Sequence, residues 1–218
     1  MSDGLLMGKP PFLCILYGKK YSGKSVLLKH IIWSYRNHFQ YIVVFSGTSD
    51  VNGAYDFLPK QHVHNKYEPE VMKSIIEKQK DLKKRGKDVQ ALIIFDDCLG
   101  NGFDWKKQKD SELVTLASSN RHWNISLAIS TQGPRMIPPI FRNNVDAAFI
   151  HRSLNQSVDD LYQIYSTMGK KEWTEFVHKN TQNWRIIYFN AKATDPADTL
   201  SVFTIPEAFM EKRFKLLY

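Results

Sequence analysis

Gly18-Lys19-Lys20-Tyr21-Ser22-Gly23-Lys24-Ser25 constrains this chain more than any other stretch. Its spacing is that of a phosphate-binding loop, G-x-x-x-x-G-K-[ST]. The flanks agree. The apolar run FLCILY at 12–17 reads as a buried strand, and a helical pattern follows over 24–38. Each part of the motif has a task. Glycines let the backbone wrap tightly, so that N–H groups and the helix start face phosphate oxygens. Lys24 is placed to reach the β- and γ-phosphates, and the Ser25 hydroxyl to bind Mg²⁺.

Further apolar runs stand at 41–45 (YIVVF), 91–95 (ALIIF), 125–129 (ISLAI), 147–150 (AAFI) and 185–189 (RIIYF). They are continuous, not alternating, which predicts strands buried on both faces of a mostly parallel sheet. Helical patterns over 24–38, 68–84 and 111–121 lie between them and predict right-handed crossovers. The expected class is therefore α/β, a P-loop domain with a mostly parallel central sheet flanked by helices. A chain of 218 residues, 43% apolar, suits one such domain. No apolar run approaches the roughly 18 residues of a membrane span, and no signal-peptide pattern opens the chain. A cytosol-like compartment is expected. Cys14 and Cys98 lie in apolar or strand-like segments and read as small buried thiols.

Carboxylates at the end of a buried strand fall where the phosphate-binding loop also ends, because ligands collect at that edge of an open α/β sheet. Asp96 is expected to hold Mg²⁺, and Asp97 to orient or deprotonate the attacking water. Gln132, closing the ISLAIST strand, can contact the γ-phosphate or the water. Arg121, Arg135, Arg142 and Arg152 are candidates for an arginine supplied to a neighbouring subunit; the plainer role of each is a surface ion pair. Lys and Arg number 30 against 22 acidic residues, a formal charge of +8 that favours a polyanionic partner. Trp105, Lys106, Lys107 and Lys109 cluster in a Gly-rich loop and fit backbone phosphate contacts, or simply a solvated loop.

Assembled in order, the phosphate-binding loop, ALIIFDD, Asn120-Arg121-His122, ISLAISTQ and Pro138-Pro139-Ile140-Phe141-Arg142-Asn143-Asn144 resemble the FtsK/HerA superfamily. More closely they resemble the poxvirus-type DNA-packaging ATPases of large DNA viruses. The match is dense over 12–152 and thinner over 153–218. The resemblance implies one domain over 1–218, with a motor core at about 12–152 and an extension beyond. It implies an ATP-driven, Mg²⁺-dependent motor that moves double-stranded DNA into a preformed capsid. It also implies a homo-oligomeric ring with ATP at the subunit interfaces, in the host cytoplasm or the virion. Residues 18–25 (Gly18, Lys19, Lys20, Tyr21, Ser22, Gly23, Lys24, Ser25) carry over as nucleotide contacts. Ser25 and Asp96 carry over as Mg²⁺ ligands, Asp97 as the catalytic acid with a shorter reach than Glu, and Gln132 as sensor. Arg121 and Arg142 are the candidate trans-acting arginines. The ALIIFDD strand is expected to be separated from the loop strand by ISLAIST. Two other readings stay open: a P-loop nucleotide or small-molecule kinase, and a capsid-associated DNA-binding protein with a vestigial nucleotide site. No Asn-Lys-x-Asp motif supports a GTPase.

Overall fold

Strands that are apolar on both faces demand cover on both sides, and the computed structural model shows how the chain provides it. It describes residues 6–47, 53–99, 103, 111–210 and 213–216. Eight strands form one sheet: β1 (Leu13–Tyr17), β2 (Tyr41–Ser46), β3 (Val63–His64), β4 (Ala91–Asp96), β5 (Ile125–Thr131), β6 (Ala147–Ile150), β7 (Ile186–Asn190) and β8 (Leu200–Phe203). Their order is β3-β2-β4-β5-β1-β6-β7-β8. The first six run parallel; β7 and β8 are antiparallel additions at one edge. The strand ending in Asp96 is separated from the loop strand by β5, as the resemblance implies.

Among the described residues the helices are α1 (Lys24–Ser34), α2 (Pro69–Lys84), α3 (Glu112–Ser119), α4 (Pro139–Arg142), α5 (Asn155–Tyr165), α6 (Lys170–Asn180) and α7 (Glu207–Met210). Alternate residues of each central strand feed two cores. Leu13, Ile15, Phe45, Ile93 and Leu127 pack with Met72, Leu116, Phe141, Leu161 and Trp173 from α2 to α6. Cys14, Leu16, Val44, Leu92 and Phe149 pack with Leu27, Leu28, Ile31 and Ile32 of α1 and with Phe57. Among the described residues no helix is long and apolar enough to cross a membrane. Both cysteines are free. Cys14 is buried, and burial followed by Asp96 pushes the Cys98 thiol up to about 12.

The elements depart from the sequence expectation at identifiable places. The first helix, expected to reach residue 38, ends at Ser34. A turn follows, in which the Tyr35 hydroxyl is tied to Met7 N and Gly8 O, so that Phe39 folds onto Phe12. The third helix, expected over 111–121, is α3 followed by a 3-10 turn at Asn120–Trp123. There the Asn120 side chain donates to Ile125 O at 3.1 Å, tying the turn to the start of β5. From residue 153 onward the chain adds β7 and β8 to the same sheet and packs α5 and α6 into the core on one face of it.

The edge where the strands begin is fastened by one carboxylate. Asp146 accepts from Leu13 N at 2.8 Å, from Arg121 at 2.6 Å and from Lys192 at 3.0 Å. Its side chain is 2% exposed. Burial alone would raise its pKa, but the Leu13 N–H, Lys192 and Arg121 outweigh it and hold the carboxyl below its ordinary value. A depressed acid contributes stability above its unfolded pKa and loses it as pH falls through the folded one. Asp146→Ala is expected to cost about 2 kcal/mol at pH 7, discounted for the half-exposed cations. Urea unfolding checks this, and the gap to wild type should shrink as the pH falls through and below the carboxylate range.

Candidate functional site

The phosphate-binding loop starts where β1 stops. Gly18 N donates to Thr131 O at 3.1 Å, and Lys19 N donates to Arg152 O at 3.0 Å. The loop entrance is thereby gripped between the exits of β5 and β6. His151, the first residue after β6, donates its own N–H to Tyr17 O at 2.8 Å. A Cβ on Gly18 would stand 2.5 Å from Ser22 Oγ and 2.7 Å from His151 Cβ, so only glycine fits. Gly23 takes φ +93 and Tyr21 φ +60, left-handed backbone that curls the loop before α1. The α1 N-terminus has no side-chain cap and no acidic residue in its first turn. Its partial positive charge is left for an anion.

Five side chains converge on this end. Lys24 Nζ, 5% exposed, donates to Gly18 O at 2.8 Å and lies 3.4 Å from Asp97 Oδ2. Asp96 Oδ2 accepts from Ser25 Oγ at 3.2 Å and from the Tyr55 hydroxyl at 2.8 Å. Asp96 Oδ1 is buried without a hydrogen-bond partner. A buried carboxylate oxygen with no donor is costly, and a hard cation beside Ser25 Oγ would satisfy it. The residues therefore fit a Mg²⁺ ion. Among the described residues no group of three or more His, Cys, Asp or Glu is placed to hold a metal. The remaining ligands of such an ion would be phosphate oxygens and water.

Asp97 has φ +50, a conformation Asp tolerates better than most residues, and its side chain is 36% exposed. Burial raises its pKa, opposed by Lys24 and reinforced by Asp96. Gln132 follows β5 and is half-buried; its carbonyl accepts from Ser157 Oγ of α5 at 3.4 Å.

The arginines separate. Arg121 is paired with Asp146 at the edge where the strands begin, roughly 13 Å along β1 from the loop. The structure does not bring it to the loop of its own subunit. Arg135 pairs with Asp160 at 2.8 Å. Arg142 closes α4, where its charge acts on the Tyr17 and Tyr165 phenols. Arg152 stands beside the loop through its backbone bond to Lys19. Trp105, Lys106, Lys107 and Lys109 lie outside the described residues.

Three site residues escape sequence reasoning. Tyr55 sits in a turn without periodic pattern; burial and the Asp96 carboxylate push its phenol well above its ordinary value, keeping it a donor. His151 is a lone histidine after a strand. It is 1% exposed, its Nδ1–H donates to Ser22 O at 2.9 Å, and burial lowers its pKa to about 4. Trp184 follows a polar run and packs against Gly23. Its only sequence signal is an aromatic residue in an otherwise polar stretch.

Comparison with known proteins fits this geometry. Protein 015R of Frog virus 3 (isolate Goorha) is 31% identical over 187 residues, covering 83% of this chain and 57% of that protein. The chain thus spans little more than half of that relative. Protein 075L of Invertebrate iridescent virus 6 is 29% identical over 186 residues, covering 83% of this chain and 71% of that protein. Among solved structures, the genome packaging NTPase B204 from Sulfolobus turreted icosahedral virus 2, in complex with AMPPCP, superposes with a TM-score of 0.65 at 21% identity. That match covers 91% of this chain and all of the other, and it shows the shared fold. The sequence profile of the Poxvirus A32 protein family matches residues 5–189, so the chain belongs to that family.

Proposed function

We propose that this domain binds ATP in the loop at 18–25 and hydrolyses it to drive double-stranded DNA into a preformed viral capsid. The observation that carries the reading is the convergence of Lys24, Ser25, Asp96 and Asp97 at one uncapped helix start. B204, which shares the fold, is a genome packaging NTPase held in complexes with ATP-gammaS and AMPPCP.

In this mechanism the loop N–H groups and the α1 start receive the phosphates, and Lys24 leaves Gly18 O for the β- and γ-oxygens. Ser25 and Asp96 would hold a Mg²⁺ ion, with Tyr55 orienting Asp96. The ion would supply charge neutralisation to the bound triphosphate. Asp97 orients the attacking water and takes its proton; its raised pKa makes it a better base than an ordinary aspartate. Gln132, joined to the loop through Thr131, senses the γ-phosphate. In a homo-oligomeric ring a neighbour's Arg121 or Arg142 completes the charge stabilisation. Arg121 must leave Asp146 to do so. The charge of +8 suits DNA gripped through its phosphates, with Lys106, Lys107 and Lys109 as contacts. The setting is the host cytoplasm or the virion.

Lys24→Ala is expected to abolish ATP turnover; wild-type turnover in that variant overturns the site. Long duplex DNA is expected to stimulate hydrolysis, and added salt to weaken the effect. Absence of stimulation removes the DNA reading, and phosphate transfer to a nucleoside monophosphate would favour a kinase instead. Asp97→Asn should retain ATP binding while hydrolysis falls about 100-fold or more. An acid with a raised folded pKa costs stability once the pH rises above its unfolded value. Asp97→Asn is therefore expected not to lower the thermal midpoint at pH 7, as calorimetry checks.

A further inference from the structure

Beside the loop, on the side away from Asp96, a cleft of about 510 Å³ opens between Trp184 and the exit of β8. Gly23, Val26, Trp184, Ile186, Ile205 and Pro206 give it a largely apolar wall. Asn183, Thr204 and Glu207 place polar groups on the same lining. Val26 is the residue after Ser25, in the first turn of α1. A phosphate chain cradled over 18–25 therefore ends against this cleft.

Trp184 is held there at a cost. It is 62% exposed, although a large apolar ring gains by burial. Asn183 and Trp184 both take left-handed backbone, φ 51 and φ 61, which Asn tolerates and which is unfavourable for a bulky residue such as Trp184. The result is an indole whose edge lies 3.3 Å from where a Cβ on Gly23 would stand. His151 lines the same cleft. A carbonyl can only accept, so the bond to Ser22 O fixes the proton on Nδ1 and leaves Nε2 an acceptor. That Nε2 is buried and has no partner in the protein. A flat apolar ligand carrying N–H or O–H groups would satisfy both the indole and this nitrogen.

We propose that Trp184 is the residue on which the base of the bound nucleotide stacks, with this cleft holding the nucleoside. The inference rests on the triphosphate reading of the loop and adds to it the recognition of the nucleoside. Stacking on an aromatic side chain contributes about 1–3 kcal/mol per base in nucleic-acid complexes, so roughly a tenfold change in affinity is the scale to look for.

The test compares ATP with inorganic tripolyphosphate, both with Mg²⁺, by calorimetric titration of wild type, Trp184→Ala and Trp184→Phe. Wild type is expected to bind ATP at least tenfold more tightly than tripolyphosphate. Trp184→Ala should lose about tenfold in ATP affinity with tripolyphosphate unchanged, and Trp184→Phe should recover most of it. ATP, but not tripolyphosphate, should change the tryptophan emission, and that change should vanish in Trp184→Phe. Unchanged ATP affinity in Trp184→Ala overturns the proposal, as does an equal loss for both ligands. Tripolyphosphate binding that survives such a result leaves the loop reading standing. Failure of wild type to bind either ligand removes the loop reading and this proposal with it.

Discussion

The site depends on where β1 lies. It is the first strand of the chain, yet it occupies the middle of the sheet between β5 and β6. Two backbone bonds, Gly18 N to Thr131 O and Lys19 N to Arg152 O, are possible because both neighbours end level with it. These strand exits satisfy the first two N–H groups of the loop and fix where the rest of it starts. The same adjacency places Gln132 and His151, one from each neighbour, on opposite flanks of the loop.

Charge is concentrated at this point with little solvent to screen it. Asp96 is 5% exposed and Lys24 equally so, with Asp97 at the rim. Such groups are tolerable only when paired, and the pairing here is incomplete by one carboxylate oxygen. The opposite edge shows the contrast. Asp146 is as buried, but its partners come from β1, the turn after α3 and the chain following β7, and its role is to fasten elements together. Two acids at similar depth thus serve different ends, distinguished by whether their hydrogen-bond capacity is filled.

What could be read from the sequence follows from what leaves a local trace. Continuous apolar runs disclose β1, β2, β4, β5, β6 and β7, since burial on both faces erases alternation. The spacing of the glycines and Lys24 disclosed the loop, and a carboxylate at a strand end disclosed Asp96. β8 leaves a weak trace, being an edge strand with Ser201 and Val202 exposed. β3 has two residues and no pattern to read. Tyr55, His151 and Trp184 act through contacts with residues 41 to 161 positions away, and nothing in their own neighbourhood announces it. Arg121 keeps both of its readings: its motif context points to a trans-acting role, and the fold pairs it with Asp146 of its own subunit.

The reversal of chain direction in β7 and β8 carries a kinetic implication. Antiparallel pairing returns 181–185 and 204–207 to the rim where β1 ends, so one wall of the cleft is made from residues far along the chain from the loop. A ribosome completes that wall more than 150 residues after the loop at 18–25. Until those residues emerge, a nascent chain carries the loop with the adjoining cleft unbuilt.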